Sequence, residues 1–270
     1  MDILNLKDLF KSEPKNKKYF IGNQKSSNIS LTIANISQVL PNKLNIIITP
    51  DIKTAKQLEQ EIPVFLANNL ELELDIQLFP DWETLPYDHF SPHQDITSDR
   101  LKILANLSSA KSGILICPLN SLMAPTPAPD YLAKYSLNLK VGEILNLTKK
   151  RRELEKGGYL CVQNVLSPGE FAVRGSLLDI YPTGSNTPYR IDLFDDEIES
   201  IKEFDPETQK SGKTINNINL LPAREFPLDE NAIDKFCEKF DDYFPRFNDT
   251  QLTDSIKRGA PLPGMEYYLP

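Results

Sequence analysis

Apolar residues in the first half of the chain come in short unbroken runs. Residues 44–49, 74–79 and 113–117 lack polar alternation and are bounded by turn or helix signals, the pattern of strands buried on both faces. Between the first two runs, Ile52, Ala55, Leu58, Ile62 and Phe65 recur at three- and four-residue spacings and predict a helix over 51–68. Leu101, Leu104 and Leu107 predict another over 97–110. Strand, helix, strand, helix, strand predicts a parallel α/β layer with right-handed crossovers. Ahead of it, a loop at residues 22–30 leads into a predicted helix over 31–40 with Ser30 as its cap.

Beyond residue 118 the pattern changes. Pro118, Pro125, Pro127 and Pro129 cluster where neither a helix nor a central strand can continue, which predicts a domain boundary. A polar helix carrying Glu143, Lys149, Lys150, Arg151, Arg152, Glu153 and Glu155 is predicted to stop at Gly157-Gly158, since glycine accepts the left-handed conformation there. Alternation in Arg190-Ile191-Asp192-Leu193 and in Glu197-Ile198-Glu199-Ser200-Ile201, with Asp195-Asp196 between, predicts an antiparallel hairpin. The run at 171–181 ends at the turn signal Pro182-Thr183-Gly184. A small α+β domain over about 128–215 follows from these elements. The remainder holds a strand around Ile218, Leu220 and Leu221, a helix near 229–240 and an aromatic, proline-rich end that looks cut from something longer.

Length and charge narrow the classes. At 270 residues the chain has room for two domains. Its 40% hydrophobic and 25% charged fractions are those of a folded globular protein rather than a disordered or membrane-embedded one. A net charge of −8 argues against holding nucleic acid by bulk charge, which needs a cationic surplus. Cys117, Cys161 and Cys237 are odd in number and far apart, so neither a disulfide framework nor a zinc site is indicated. The first 18 residues lack a secretory apolar core and no later run approaches a membrane span, which places the chain in a reducing cytoplasm.

Catalytic chemistry finds little support. The stretch Gly22-Asn23-Gln24-Lys25-Ser26-Ser27-Asn28-Ile29-Ser30 sits where a phosphate loop would, but it lacks the G-x-x-x-x-G-K-[ST] spacing, and Lys25 comes too early to reach a terminal phosphate. The acidic end of Ile191-Asp192-Leu193-Phe194-Asp195-Asp196-Glu197 resembles a magnesium-holding strand but reads better as an exposed hairpin turn. His89 and His93 beside Asp88 and Asp95 lack a helix to set metal-ligand spacing. No nucleophile elbow is present.

Two long strings stand out. One is Phe79-Pro80-Asp81-Trp82-Glu83-Thr84-Leu85-Pro86-Tyr87-Asp88-His89-Phe90-Ser91-Pro92, continuing to Arg100. The other is Gly169-Glu170-Phe171-Ala172-Val173-Arg174-Gly175-Ser176-Leu177-Leu178-Asp179-Ile180-Tyr181-Pro182, followed by Pro188-Tyr189-Arg190-Ile191-Asp192-Leu193-Phe194-Asp195-Asp196-Glu197-Ile198. With Asn219-Leu220-Leu221-Pro222-Ala223-Arg224-Glu225-Phe226-Pro227 and Leu262-Pro263-Gly264-Met265-Glu266-Tyr267-Tyr268, they resemble the N-terminal region of the bacterial transcription-repair coupling factors (the Mfd family), the part similar to the excision-repair protein UvrB. The resemblance covers almost the whole chain in the family's order.

That resemblance implies domain 1A over about 1–124, domain 2 over 125–215 and part of domain 1B over 216–270. The fold class is then α/β: a degenerate helicase-like parallel layer made of 1A and 1B, with an inserted small α+β domain containing an antiparallel sheet. It implies a non-catalytic adaptor that recruits UvrA to lesion-stalled RNA polymerase. The alternative is a helicase-like nucleotide- or DNA-binding fragment. Aligning on Thr32-Ile33-Ala34-Asn35 puts Ile29 at the phosphate-loop lysine and Ser30 at its Ser/Thr position, so no nucleotide cofactor is expected here; ATP and magnesium would serve the family's downstream translocase domains. RNA polymerase and DNA would likewise be contacted downstream, and the C-terminal domain of the full-length protein is expected to mask the UvrA surface. No membrane partner is implied.

The residues that match the family's UvrA-contacting positions are Arg174, Arg190 and Phe194. Guanidiniums that fork onto carboxylates beside an aromatic anchor are the residue types that dominate interfaces. Strand parity puts Arg190, Asp192 and Phe194 on one face and Ile191 and Leu193 on the other. The competing roles are internal ion pairs, Arg174 with Glu170 or Arg190 with Asp192. Residues 151–215 hold 8 basic against 12 acidic residues, which gives DNA binding no electrostatic support there. Pro80, Pro86 and Pro92 are read as stiffening a loop that packs Trp82, Tyr87 and Phe90 against domain 1B.

Overall fold

The structure, a computed structural model, describes residues 18–22, 24, 27–67, 74–86, 88–243 and 250–268. The chain divides into two compact units, Met1–Asp81 with Ser109–Met123, and Trp82–Ser108 with Ala124–Pro270.

The first unit is built on three parallel strands, β1 (Leu44–Thr49), β2 (Ile76–Leu78) and β3 (Gly113–Pro118), in the order β1-β3-β2. The helices Ser27–Val39 and Ile52–Leu66 lay Ile33, Ala34, Ala55, Leu58 and Ile62 against Ile114 and Ile116. Asp51 caps the second helix by accepting a hydrogen bond from Thr54 N at 2.7 Å. The first helix starts at Ser27, earlier than expected, so Ser30 is not its cap. Ser30 lies inside the helix, fully buried, and its hydroxyl donates to Glu61 Oε2 at 2.6 Å. Ile29 is on the same helix. Asn23, Lys25 and Ser26 of the candidate phosphate loop lie outside the described residues.

The second unit carries the antiparallel texture expected after the proline cluster. Strands β4 (Leu137–Lys140), β5 (Leu160–Cys161), β6 (Glu170–Arg174), β7 (Leu177–Ile180), β8 (Tyr189–Phe194), β9 (Glu197–Phe204), β10 (Ser211–Ile215) and β11 (Asn217–Leu220) follow in sequence. Six of them form one sheet in the order β10-β9-β8-β7-β6-β5, antiparallel except for the β5–β6 pair. Strand β11 does not extend the parallel layer, as the fold reading expected of segment 216–270; it pairs antiparallel with β4 in a separate two-stranded sheet. The fold is therefore mixed α/β with parallel and antiparallel sheets.

The six-stranded sheet buries a smaller cluster of Val165, Ala172 and Phe204 on part of one face and lays its main core on the other. Phe171, Leu178, Ile180, Ile191, Leu193, Ile198 and Ile201 form its core with Leu154 and Tyr159. Leu154 comes from the polar helix, which runs over Leu147–Lys156, capped by Asn146; Glu143 lies before it. Gly157 ends that helix and Gly158 follows at φ +97°, where a side chain would meet Arg224.

The helix Gln94–Leu107, predicted as a crossover of the parallel layer, clusters with the second unit instead. Gln94 donates to Ala223 O at 2.9 Å, and Gly184 N donates to Ser98 Oγ at 2.7 Å. Arg100, with a side chain of 0% exposure, donates through Nε to Glu225 Oε1 at 2.7 Å and through a terminal nitrogen to Glu225 Oε2 at 3.1 Å. Trp82 Nε1 donates to the same Oε1 at 3.0 Å, and the Arg100 guanidinium stacks 4.7 Å from the Trp82 ring. Tyr267 meets Trp82 edge-on at 4.9 Å. Trp82 is thus packed as expected, whereas Phe90 is 69% exposed and does not join it. Tyr87 lies outside the described residues.

Glu266 sits beside this network with Oε2 buried and unpartnered. Burial raises its carboxyl above the ordinary value, and the Glu225 charge adds to the effect. The folded state therefore holds the proton to a higher pH than the unfolded state, and stability falls as pH rises from the ordinary carboxylate range through the raised value. Glu266→Gln should accordingly gain about 1 kcal/mol near pH ~7, a gain that disappears below about pH 4. Thermal melts of both proteins across that range check the crossing.

Candidate functional site

The outward face of the six-stranded sheet collects all three candidate docking residues. Register places Ala172, Asp179, Arg190 and Lys202 in one cross-strand row, and Arg174, Leu177, Asp192 and Ser200 in the next. Paired residues project to the same side, so both rows lie opposite the core row of Val173, Leu178, Ile191 and Ile201. A bulge at Glu199 lets Ile198 and Ile201 both reach the core, while β8 keeps its own alternation. Phe194 therefore shares the outer face with Arg190 and Asp192, at the strand end, 71% exposed. The hairpin turns immediately after it through Asp195, at φ +54°.

Phe194 gains nothing for folding by being out there. An exposed aromatic ring on a strand end, next to a tight turn, is of the residue type that interface hot spots favour. Arg174 ends β6 beside Gly175, whose φ of +61° makes the turn into β7. Its guanidinium donates to Asn164 Oδ1 at 3.0 Å and to the Gln163 carbonyl, and the side chain is exposed. It does not pair with Glu170, whose carboxylate accepts from Leu166 N and Ser167 N instead.

Arg190 is held more firmly than the other two. Nε donates to Asp179 Oδ1 at 2.7 Å and a terminal nitrogen donates to Asp179 Oδ2 at 2.9 Å, a two-point fork across β7 and β8. The other terminal nitrogen donates to Gln209 O at 3.2 Å, and the guanidinium lies 4.9 Å from the Phe204 ring. Its side chain keeps 20% exposure against 4% for Asp179, and the Asp179 hydrogen bonds raise its pKa. The internal partner is thus Asp179, not Asp192. Sequence reasoning missed it because the pair is cross-strand; the available signal was a lone carboxylate inside the apolar run Leu177-Leu178-Asp179-Ile180, which needs a buried cation.

Other candidate chemistry resolves into structural roles. His93 accepts a hydrogen bond from Asp95 N at 3.3 Å at the start of the helix Gln94–Leu107. Among the described residues, no group of three or more His, Cys, Asp or Glu is arranged to hold a metal. Likewise, no helix among them is long and apolar enough to cross a membrane.

Residues 137–226 match the UvrB interaction domain family. A transcription-repair-coupling factor of Haemophilus influenzae is 42% identical over 252 residues, covering 93% of this chain and 21% of the relative. The Escherichia coli protein of that name is 41% identical over 226 residues, 83% of this chain and 19% of the relative, and the one from Rickettsia bellii 32% over 230 residues, 83% and 20%. The chain spans about a fifth of the length of these curated relatives. Over nearly its whole length this chain is thus similar to one stretch of the transcription-repair-coupling factors, and its residues 137–226 match the UvrB interaction domain family.

Proposed function

We propose that the outer face of the six-stranded sheet is a docking surface for UvrA, and that the chain is a non-catalytic adaptor that brings UvrA to RNA polymerase stalled at a lesion. The exposure of Phe194, on the same face as Arg174 and within the UvrB interaction domain, is the observation that carries this reading. Phe194 fills an apolar socket and Arg174 reaches a carboxylate on the partner. Arg190 offers its exposed edge while its fork on Asp179 fixes the strands beneath. The segments 1–124, 125–215 and 216–270 serve as domains 1A, 2 and 1B. In the full-length protein the C-terminal domain covers this face until activation, so that internal and external partners compete for it. The setting is the cytoplasm.

The rival reading is a nucleotide- or DNA-binding fragment. It is weakened by Ser30, buried within a helix and committed to Glu61, and by the acidic balance of the chain. Titrating the protein with UvrA, labelled ATP and DNA separates the two. Binding to UvrA alone is expected, weakened about tenfold by Arg174→Ala. Saturable binding of ATP or DNA with none of UvrA would reverse the choice.

A further inference from the structure

The outer face holds a second exposed apolar side chain beside Phe194, on a segment outside the strands of the sheet. Residues 142–145 run along the start of β9. Gly142 N donates to Ile198 O at 2.9 Å, Ile198 N donates to Glu143 O at 2.9 Å, and Leu145 N donates to Asp196 O at 2.6 Å. These bonds set Ile144 in an antiparallel bridge with Glu197, which is itself paired with Phe194. Bridged residues project to the same side of a sheet, so Ile144, Glu197 and Phe194 form one row on the outer face.

Ile144 is 74% exposed, while its neighbour Leu145 is 4% exposed and turns into the core. The backbone bonds that hold the segment fix which of the two faces outward. Two strands of separation put Ile144 and Phe194 roughly 10 Å apart, within reach of one partner surface. Around them Glu143, Asp195, Asp196, Glu197 and Glu199 are all exposed. The hairpin tip is therefore a pair of apolar knobs in an acidic ring.

We infer that Ile144 is a second apolar anchor for UvrA, and that the UvrA surface meeting this tip is an apolar socket rimmed by lysine or arginine. The inference rests on the docking reading above. Charge complementarity selects the occupant: DNA phosphates would be repelled by the ring, and a second copy of this chain would set one acidic ring against another. Continuity with Phe194 and Arg174 on the same face joins the new contact to that surface.

Calorimetric titration of UvrA into the wild type, Phe194→Ala, Ile144→Ala and the double neutral variant Asp196→Asn/Glu197→Gln tests this at two salt concentrations. Ile144→Ala leaves the backbone bridge in place and should weaken binding about fivefold to tenfold. The neutral variant should show a shallower loss of affinity on raising salt than the wild type. Wild-type affinity in Ile144→Ala beside a weakened Phe194→Ala would overturn the second anchor and leave the docking reading standing. An unchanged salt response in the neutral variant would overturn the basic rim. Failure of the wild type to bind UvrA would sink the docking reading and this inference with it.

Discussion

Glu225→Ala should lower the melting temperature of the second unit by about 10 °C, corresponding to about 3–5 kcal/mol. Arg100 and Glu225 are both out of water, with side-chain exposures of 0% and 1%, and each satisfies the other. Removing the carboxylate leaves a guanidinium in the interior, beneath the Trp82 ring, without the two-point hydrogen bonding that Glu225 supplied. Trp82 Nε1 loses its acceptor in the same change. An apolar replacement of both partners, Arg100→Met with Glu225→Leu, should recover a good part of the loss, because the penalty comes largely from keeping the buried charge without its Glu225 partner. Differential scanning calorimetry reads both. A shift of under about 2 °C for Glu225→Ala would mean that the pair is not the anchor of the 82–100 segment.

Phe194→Ala should weaken UvrA binding roughly 30-fold or more, as buried aromatic anchors at interface centres do. The same substitution should leave the melting temperature almost unchanged, since the ring is 71% exposed and packs on no core cluster among the described residues. That split between a large binding effect and a negligible folding effect distinguishes an anchor from a misplaced core residue. Loss of stability without loss of binding would assign Phe194 to the fold. Asp179→Ala should do the reverse of Phe194→Ala: it unpairs Arg190, so the strand pair loosens first and any binding loss follows from that.

The elements that could be read from the sequence were those whose signals are local. Unbroken apolar runs marked β1 and β3, although only β3 is buried on both faces and the edge strand β1 leaves Ile46 and Ile48 exposed; alternation in β8 put Ile191 and Leu193 inside and Phe194 outside, which the burial of those residues repeats. The turn at Asp195-Asp196 was legible because strands cannot continue through it. What failed to show depended on contacts distant in sequence. Arg190 finds Asp179 eleven positions away because register puts them opposite each other, and no periodicity within one strand contains that information. The helix Gln94–Leu107 has an apolar face that would suit any sheet; its buried Arg100, answered by Glu225, decides which unit it joins. Phe90 shares its proline-stiffened loop with Trp82, which suggests a common packing site, yet its ring is exposed, and loop membership alone does not specify which aromatic turns inward. Ser30, which reads as a cap from its position before an apolar run, instead lies inside the helix Ser27–Val39 and donates to Glu61, a partner on the next helix. Ile144 escaped notice because a single exposed isoleucine is unremarkable until its bridge to Glu197 places it beside Phe194.

Amide hydrogen exchange of this protein with and without saturating UvrA tests the central claim most directly. Docking on the outer face predicts protection concentrated in β8 and β9, at the turn between them and at the end of β6 around Arg174, with the helices of the first unit unchanged. Unaltered exchange across residues 170–200, with protection appearing instead around Ser27–Val39, would contradict the account.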